Sequence, residues 1–514
     1  MNFMKERTVT MNRECILEQA KQHDSFYLYE EAIIRKNTEQ LKTDFPGVTF
    51  LYSVKCNPYP EVLRCVLNQG FGVDAASLAE CVMGQKAGLG KDMVIFSAPG
   101  KTMADIRGGL GISTLVADSA AEVERIQEAA AEQGIVAEIG LRVNPDFTYT
   151  AETGVASKFG IDEQLIYDSM EAWKKLPNIR IVGLHAHLKS QELSAETLKG
   201  YYRNMFRLSV SMREAFGTLK FVNLGSGMGI PFCETDKPFD TTALGAETQR
   251  LMAEFQEKLP ETRFYIETGR YAVGTAGTYV AKVVDKKVTH GKNFVLLSAT
   301  LNGFARPSMV AMLEHFMGNG PIAAWEPIYT GDHSFQMIPL VETAERETVT
   351  VTGNLCTGTD LVLSDADMPK MEVGDTVVFP NAGSYAAVKA GAKFQWGVAL
   401  LPYWPDVKGA PQNTVIGGAA IWAMAGHSKD AEKGAAAFLN YLLKPEVQAR
   451  FHQLTGYVPV TLEGYELTKQ QGFYDKNPGT DIAVKALSDK KPTINSLGLR
   501  LGNFVQIRNI IDEE

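Results

Sequence analysis

The sequence predicts an α/β protein in which a (β/α)8 barrel and an antiparallel β domain precede a mostly helical C-terminal region. Three observations predict this fold. Short apolar runs alternate with amphipathic helical patterns from about residue 47 to 268, the hydrophobic period becomes two from about residue 276, and helical patterns return after about residue 389. Strands that alternate with helices indicate a parallel sheet, whereas a period of two indicates half-buried antiparallel strands.

The alternating region contains eight strand-like runs, the number that a closed (β/α)8 barrel requires. They are "VTFLYSV", "GFGVD", "MVIFSA", "STLVAD", "AEIGLRV", "IRIVGLHAHL", "LKFVNLG" and "RFYIET". Amphipathic stretches such as "SLAECVMGQKAGLG" and "SAAEVERIQEAAAEQG" lie between them and are typical of crossover helices. We assign residues 36–275 to the barrel, and an open doubly wound sheet is the alternative on pattern alone.

The β domain is assigned to residues 1–35 and 276–390. Its strands are read from "TYVAKVVDKKV", "NFVLLSATL", "ETVTVTGNL" and "DTVVFPNAGSYAAV", which alternate apolar with polar residues between turn residues. The run "FYLYEEAII" is either a further strand of this domain or a lead-in to the barrel. Residues 391–514 form the last region, where "SKDAEKGAAAFLNYLLKPEVQARFHQLTG" predicts helices.

Composition excludes several classes of function. The chain of 514 residues carries a formal charge of -9 without a clustered Lys/Arg run, which disfavours nucleic acid and anionic membranes as partners. No stretch approaches the roughly 20 apolar residues of a membrane span, and the N-terminus does not read as a secretory signal, so we expect a cytoplasmic protein. Six cysteines without a CxxC pair predict reduced thiols and no structural metal site.

Polar side chains collect at the predicted carboxyl ends of the barrel strands, where functional groups of this fold gather. An amine, a glycine-rich turn, arginines and a carboxylate together suggest a phosphorylated cofactor that is attached through lysine. Pyridoxal 5'-phosphate fits this set. The residues are Lys55, Asp74, Arg142, His185 or His187, Ser190, Gly225 to Gly229, Glu267 and Arg270.

Residues of about 25 to 388 resemble the fold-type III pyridoxal-phosphate decarboxylases, the family of diaminopimelate, ornithine and arginine decarboxylases. Eight segments carry the resemblance in the family's order, which is far more specific than the glycine loop alone. They are "YSVKCNP", "GVDAASLAE", "LRVNP", "HLKSQ", "NLGSGMG", "ETGRY", "NLCTGTD" and "NAGSYAAV".

The resemblance assigns roles to these residues. Lys55 would bind the cofactor covalently, and we expect the pocket to favour its neutral amine. Asp74 and Arg142 would steady the lysine and the cofactor, and His187 would lie against the ring. The phosphate would be held by Ser190, Gly225, Gly227, Arg270 and Tyr385. From the residues alone, Lys55 could instead extend its charge to solvent, and "HAH" could be a packed imidazole or a metal pair.

Glu267 bears on the type of reaction. It ends the apolar run "RFYI", where an unpaired carboxylate would be costly, so a cationic partner is expected. By resemblance, this partner is the ring nitrogen of the cofactor. A carboxylate there keeps the ring protonated and favours decarboxylation, whereas racemases of this fold tend to place arginine in that position. A racemase of the same fold is the alternative.

Cys356 corresponds to the family's loop cysteine, which is delivered across a dimer interface and returns a proton after carbon dioxide leaves. Asp360 would approach the distal amine of the substrate from the same loop. The resemblance therefore implies a homodimer with shared active sites. From the residues alone, Cys356 could instead be a buried inert thiol.

The substrate is indicated less clearly. Arg306 in "LNGFARPSM" resembles the arginine that binds the distal carboxylate in diaminopimelate decarboxylases, although it could be a surface residue. Three departures from the family pattern, Thr357, Lys189 and Thr268, suit a divergent relative that acts on another basic or modified amino acid equally well. The implied partner is a small-molecule amino-acid substrate.

From about residue 393 the chain resembles the C-terminal part of the glycerol-3-phosphate-binding proteins of ABC importers, which predicts a partial periplasmic-binding-protein lobe. The segments are "GAPQNTVIGGAAIW", "TGYVPVT", "QGFYDKNPG" and "GLRLGNFVQIR". Gly418, Tyr457 and Arg508 would contact the ligand phosphate by this resemblance. Such proteins close two lobes around a ligand, so we expect no competent transport function and interpret the join as an artificial or accidental fusion. A ligand-binding module is the rival function.

Overall fold

The structure is a computed structural model that describes residues 13–232, 236–310, 335–385, 426, 428–477, 479–482 and 484–485. The chain divides into two compact units, Met1–Lys393 and Phe394–Glu514. Within the described ranges, no helix combines the length and the apolar character that crossing a membrane requires.

The first unit contains a closed barrel of eight parallel strands. After β1 (Ser25–Tyr29), the strands of this region are β2 (Thr49–Ser53), β3 (Gly72–Ala75), β4 (Val94–Phe96), β5 (Thr114–Ala117), β6 (Ala137–Asn144), the short β7 (Ile161–Asp162), β8 (Ile179–His185), β9 (Phe221–Asn223) and β10 (Arg263–Thr268). The order β5-β4-β3-β2-β10-β9-β8-β6 closes through a β5–β6 pairing, and β7 adds to the edge of β6. The predicted barrel and its eight strand runs are confirmed, and the open sheet is wrong.

The helices between the strands begin where the sequence supplies a capping side chain. Ser77 accepts a hydrogen bond from the amide of Glu80, and Ser119 accepts one from the amide of Glu122. Such caps satisfy amides that the first helical turn leaves without partners. The α-helices from β1 to the end of the barrel are Glu31–Asp44, Pro60–Leu67, Leu78–Lys86, Met103–Gly109, Ala120–Glu132, Glu163–Trp173, Ala195–Phe216, Thr241–Phe255 and Arg270–Val273.

An apolar layer fills the barrel below the polar strand ends. It is formed by Leu51, Ile95, Val116, Val182, Phe221 and Tyr265, all of which are buried. Side chains two positions apart on a strand face the same side of a sheet. Ser53, Asn223 and Glu267 therefore follow Leu51, Phe221 and Tyr265 on the inward face, and polar groups line the cavity directly above an apolar floor.

A sheet of seven described strands forms the β domain. Besides β1, it contains β11 (Gly277–Thr289), β12 (Lys292–Leu297), β13 (Ile338–Pro339), β14 (Arg346–Thr352), β15 (Leu361–Pro369) and β16 (Thr376–Phe379). The order is β13-β16-β11-β12-β14-β15, and β1 pairs with β11. The run "FYLYEEAII" is thus part strand and part helix, because Glu31–Asp44 follows β1 directly.

The expectation of a wholly antiparallel β domain is wrong at one pairing. β12 pairs with β14 in parallel, although the other described pairings of this sheet are antiparallel. Parallel neighbours need a long connection that returns the chain to the starting edge, and residues 298–345 provide one. The sequence patterning missed β15, which pairs with β14.

The second unit is helical where it is described, with helices Lys429–Leu442, Pro445–Thr455, Leu462–Gln470 and Phe473–Lys476. Gly456 has a φ of 79° and ends the second of these helices in the left-handed conformation that glycine tolerates. Buried Gln448 accepts a hydrogen bond from the amide of Val460 at 2.9 Å, which holds the following loop against this helix.

Candidate active site

Lys55 lies just beyond the end of β2, in a single turn of 3-10 helix, Val54–Cys56. Its Nζ donates a hydrogen bond of 3.1 Å to Oδ2 of Asp74 on the neighbouring strand β3. Asp74 is fully buried and also accepts hydrogen bonds from Ser53 at 2.8 Å and Ser97 at 2.7 Å. The lysine side chain is 39% exposed. A fixed carboxylate therefore orients an amine that remains accessible.

The electrostatics of Lys55 correct one expectation from the sequence. Burial opposes the charged ammonium, but the carboxylates of Asp74 and Glu267 outweigh it and raise the pKa of Lys55 above its ordinary value. The pocket thus favours the ammonium, whereas we expected the neutral amine. The reason is that two acidic groups from different strands converge on one amine, which the linear sequence does not reveal.

Glu267 is buried at the end of β10 and faces two imidazoles. Its Oε1 lies 3.0 Å from Nε2 of His185, and its Oε2 lies 3.2 Å from Nδ1 of His187. These approaches are close but are not aligned as hydrogen bonds, whereas Nδ2 of Asn223 donates a hydrogen bond of 3.0 Å to Oε1. The carboxylate is consequently approached from β9 and from the end of β8, which lie on the same side of β10.

The titration of this cluster follows from burial and charge together. Burial disfavours the carboxylate of Glu267, but the two imidazoles overcome that effect and hold its pKa well below the ordinary value. Burial lowers the pKa of His185, and Glu267 only partly offsets this change. The carboxylate form of Glu267 is therefore favoured, and the partly exposed His187 lies beside it.

The glycine loop after β9 brings backbone close to the strand ends. Gly225 has a φ of +63° and Gly227 has a φ of +134°, both in the region that favours glycine. A Cβ at Gly225 would lie 2.4 Å from the carbonyl oxygen of Ala186, and one at Gly227 would lie 2.6 Å from the hydroxyl of Tyr149. Both positions require glycine, so the loop backbone lies close to the strand ends, and the amide of Gly225 donates a hydrogen bond of 2.9 Å to Oδ1 of Asn223. The hydroxyl of Tyr149 donates to the carbonyl of Ser226 at 2.7 Å and fixes the loop.

Arg270 is buried at the start of the helix after β10. Its Nη1 donates a hydrogen bond of 2.9 Å to Oε1 of Gln191, and its guanidinium carbon lies 5.5 Å from the centre of the Tyr385 ring. The side-chain amide of Gln191 also donates a hydrogen bond to the carbonyl of Ile230 and accepts one from the amide of Ile230. Gln191 has a φ of 58°. Our sequence reasoning missed Gln191, although it follows Ser190 directly in the motif "HLKSQ".

Tyr385 and Arg306 reach the same region from the β domain. The amide of Tyr385 donates a hydrogen bond of 2.9 Å to the carbonyl of Cys56, beside Lys55. Nη2 of fully buried Arg306 donates one of 3.3 Å to the carbonyl of Ser384, and its guanidinium carbon lies 4.7 Å from the ring centre of Phe232. Arg306 is therefore a buried group next to the Tyr385 segment, and its reading as a surface arginine is wrong.

Arg142 and Ser190 both approach His187. Nη2 of Arg142 donates a hydrogen bond of 3.3 Å to the backbone carbonyl of His187, and Nη1 lies 3.6 Å from Asp118. The hydroxyl of Ser190 lies 3.4 Å from Nε2 of His187. Arg142 thus positions the His187 backbone, whereas Asp74 is the residue that contacts Lys55.

Cys356 and Asp360 share the loop between β14 and β15. Cys356 is exposed in the single chain. The alternative of a buried, inert thiol is therefore wrong for the single chain. Asp360 is only 2% exposed, and its carboxylate accepts hydrogen bonds from Thr300, Leu301 and Leu355. These contacts differ from our expectation of a carboxylate that reaches toward a substrate amine.

Of the three candidate ligand residues of the second unit, the structure describes only Tyr457. Tyr457 is 55% exposed, and its carbonyl oxygen lies 2.8 Å from Nδ1 of His452. Gly418 and Arg508 lie outside the described residues, as does Cys233 of the first unit.

Comparison with known proteins agrees with this geometry. Residues 31–274 match the family described as "Pyridoxal-dependent decarboxylase, pyridoxal binding domain". The barrel is therefore similar to the pyridoxal-binding domain of these decarboxylases. Residues 364–479 match the family described as "Bacterial extracellular solute-binding protein". The predicted resemblance to two unrelated families in one chain is confirmed.

Solved structures resemble the decarboxylase part. Diaminopimelate decarboxylase from Helicobacter pylori in complex with L-lysine is 25% identical, with a TM-score of 0.62, and the match covers 72% of this chain and 89% of that one. Lysine decarboxylase from Selenomonas ruminantium is 20% identical, with a TM-score of 0.62, and the match covers 77% and 95%. At that identity the second likeness concerns the fold alone.

Curated relatives resemble the other part of the chain. The sn-glycerol-3-phosphate-binding periplasmic proteins UgpB of Yersinia pestis and Salmonella typhimurium are each 50% identical over 151 residues, which is 29% of this chain and 34% of those proteins. The chain therefore spans about a third of the length of the curated relatives it matches. The solute-binding match begins at residue 364, inside β15 of the first unit.

The residues at the strand ends fit pyridoxal 5'-phosphate, the cofactor that the decarboxylase match implies. Its aldehyde needs an accessible amine, its ring nitrogen needs an acid, and its phosphate needs amides and a guanidinium. Lys55, Glu267, the glycine loop and Arg270 supply these groups at one end of one barrel.

Proposed function

We propose that the chain is a pyridoxal-phosphate-dependent decarboxylase that converts an amino acid to an amine and carbon dioxide. One observation carries the proposal: an accessible Lys55 is held by buried Asp74 in the same strand-end cluster as buried Glu267. Neither a structural core nor a solute-binding lobe requires this arrangement. It is the donor set that a covalently held pyridoxal cofactor uses.

The chain's residues divide the binding work among themselves. Lys55 would attach the cofactor, and Asp74 would orient the amine. Amides of Gly225 and Gly227, the hydroxyl of Ser190 and the guanidinium of Arg270 would hold the phosphate, with Tyr385 beside them. Arg142 fixes the backbone of His187, which places that imidazole beside Glu267, where it would contact the ring.

Decarboxylation requires one proton to stay on the ring nitrogen of the cofactor and another to be delivered to Cα of the substrate. When bound, the cofactor supplies the electron sink that accepts the electron pair of the broken bond between Cα and the carboxylate. Glu267, ionised because two imidazoles lower its pKa, would hold the proton on the ring nitrogen. Cys356 would donate the proton that replaces carbon dioxide at Cα. The products are one amine and one molecule of carbon dioxide.

The proposed substrate is a diaminopimelate-like or other basic amino acid. Arg306 supports a distal carboxylate, because its buried guanidinium lies next to the Tyr385 segment and a guanidinium can bind a carboxylate through two parallel hydrogen bonds. The diaminopimelate decarboxylase structure in complex with L-lysine, which is 25% identical to this chain, supports a basic amino acid. We assign no single substrate.

We further propose a cytoplasmic homodimer in which the two copies share their active sites. The exposed position of Cys356 supports this, because the loop presents its thiol outward where a second copy could receive it. The five described cysteines are all free thiols, which agrees with a reducing compartment.

The test begins with the cofactor and continues with the reaction. The purified chain should acquire a visible absorbance band with pyridoxal phosphate, and borohydride should fix the cofactor on the peptide that contains Lys55. A K55A variant should do neither, and K91A, at an exposed lysine, serves as the matched control. A protein that stays colourless with added cofactor would contradict the proposal.

The alternatives are outcomes of a substrate panel. Carbon dioxide released from diaminopimelate, lysine, ornithine or arginine supports decarboxylation and names the substrate. Inversion of the amino acid without release of carbon dioxide indicates a racemase of the same fold. Saturable binding of glycerol 3-phosphate in calorimetry, without cofactor binding, indicates a ligand-binding module.

A further inference from the structure

Asp360 joins two segments that the proposed function places at the substrate. The first is the Cys356 loop, residues 353–360, and the second is the Arg306 segment, residues 300–306. We infer that Asp360 is a positioning residue that sets the Cys356 loop against the Arg306 segment, and that it does not bind the substrate itself. The inference rests on the proposed function for its catalytic consequence only.

The carboxylate of Asp360 uses both oxygens on backbone and side-chain donors of these two segments. Oδ1 accepts hydrogen bonds from the hydroxyl of Thr300 and from the amide of Leu301, the latter at 3.1 Å. Oδ2 accepts one from the amide of Leu355 at 2.9 Å, next to Cys356. Because each oxygen serves a different segment, a single side chain determines the separation between them.

The backbone around Asp360 is built for this contact. The carbonyl of Asp360 accepts a hydrogen bond from the amide of Gly353 at 2.9 Å, which closes the Cys356 loop on itself. A Cβ at Gly353 would lie 1.7 Å from the Thr300 hydroxyl and 2.1 Å from Oδ2 of Asp360. Gly353 must therefore be glycine for the carboxylate and the hydroxyl to meet.

In the Arg306 segment, hydrogen bonds and ring packing hold the backbone between Thr300 and Arg306. The amide of Gly303 donates to the carbonyl of Thr300 at 2.8 Å, and the hydroxyl of Tyr27 donates to the carbonyl of Gly303 at 2.7 Å. Phe304 is buried and its ring stacks on Tyr279 at 5.4 Å between ring centres. The turn is rigid from Thr300 to the residue before Arg306, so a shift at Asp360 would move both segments.

Buried charge explains why a carboxylate stands here. A buried carboxylate is costly unless its lone pairs are satisfied, and donors from two segments satisfy it only while the segments stay in register. The side-chain amide of asparagine has the same shape, but its NH2 group would face the hydrogen-bond donors of one segment and could not accept from them. Asn at residue 360 should therefore break the link between the two segments, which loosens both, while it keeps the volume of the side chain.

The test compares D360N with wild type, both loaded with pyridoxal phosphate, by hydrogen exchange and steady-state kinetics. Amides in peptides covering 300–304 and 353–360 should exchange faster in D360N by about tenfold or more, as expected when a charge-assisted hydrogen bond is lost. The kcat should fall, whereas the cofactor affinity and the exchange of a peptide covering 49–56 should not change. D367N is the matched control on β15, because Asp367 is exposed and pairs with Arg346 at the surface.

T300V keeps the carboxylate and removes one donor, so it provides the same test if D360N folds poorly. It should accelerate exchange in both segments, and T300S should restore the wild-type rate. Loss of turnover with unchanged exchange in both segments would mean that Asp360 contacts the substrate, and the inference would be wrong. Faster exchange in one segment alone, in both D360N and T300V, would also overturn it. The exchange readout does not depend on turnover, so a wild type that releases no carbon dioxide contradicts the proposed function alone.

Discussion

Oδ2 of Asp74 lies 3.1 Å from Nζ of Lys55 and is also bound by the hydroxyl of Ser53. The three residues come from β2, the turn after it and β3, so parallel pairing of two strands assembles the contact. The buried carboxylate both orients the amine and keeps it charged. Because the pKa of Lys55 is raised, this ion pair stabilises the protein at neutral pH and is lost only as pH rises through the folded-state pKa.

Replacement of Asp74 by asparagine should lower the pKa of Lys55, because the largest favourable charge beside the ammonium is removed. Only the neutral amine can attack the cofactor's aldehyde. The rate of pyridoxal phosphate capture should therefore begin to rise at a lower pH in D74N than in wild type. Stopped-flow absorbance across a pH series measures this. S97A, which removes a hydrogen bond to Asp74 but no charge, is the control, and coincident profiles for D74N and wild type would contradict the prediction.

Replacement of Glu267 by glutamine should reduce kcat by on the order of 100-fold, the size expected when one preorganised electrostatic group is removed. The amide keeps the shape but cannot hold a proton on the ring nitrogen. Carbon dioxide release under saturating substrate measures the effect. E138Q, at an exposed glutamate at the start of β6, should match wild type, and an active E267Q enzyme would show that Glu267 has another role.

Replacement of Gln191 by alanine should weaken cofactor binding by roughly tenfold to 100-fold, since Arg270 loses a charge-assisted hydrogen bond that orients it. Equilibrium titration with pyridoxal phosphate and with inorganic phosphate reports on this without turnover. Q164A removes an exposed glutamine that pairs with Asp168 on a surface helix, and it should have no effect. Equal affinities of Q191A and wild type for both ligands would exclude a positioning role.

Two glycine replacements should have opposite effects on stability. A Cβ at Gly183 would lie 1.9 Å from Cζ of Phe221 in the barrel floor, so G183A should destabilise the first unit by about 1–3 kcal/mol through overpacking. Gly200 lies inside helix Ala195–Phe216 with open space beside it, and G200A should stabilise by about 0.5–1 kcal/mol. Denaturant unfolding followed by fluorescence compares them, and a stabilised G183A would show that Phe221 can move aside.

The fold was predictable because its signals are local. Each barrel strand is a short apolar run next to an amphipathic helix, and serine or threonine caps mark where helices such as Leu78–Lys86 begin. The strand β15 escaped because its polar residues, among them Asp365 and Asp367, interrupt the alternation. Its place is decided by pairing with β14, which is not a local property.

The candidate site was predictable in its membership but not in its contacts. Lys55, Asp74, Glu267 and Arg270 lie at strand ends that the barrel must bring together, so their proximity follows from topology. The partners of Glu267 and Asp360 did not follow, because they come from separate strands and loops. The role of Gln191 was missed for the same reason, since its partner Arg270 lies 79 residues away.

The sequence by itself determined that this chain holds a (β/α)8 barrel with a lysine and an acid at its strand ends, because apolar periodicity and turn residues act over a few positions. Only the tertiary structure decided that Lys55 is held as an ammonium and that Asp360 faces inward onto its own domain. The electrostatic environment and the burial of a side chain depend on groups that are far apart in the sequence. These groups come together only when the barrel closes.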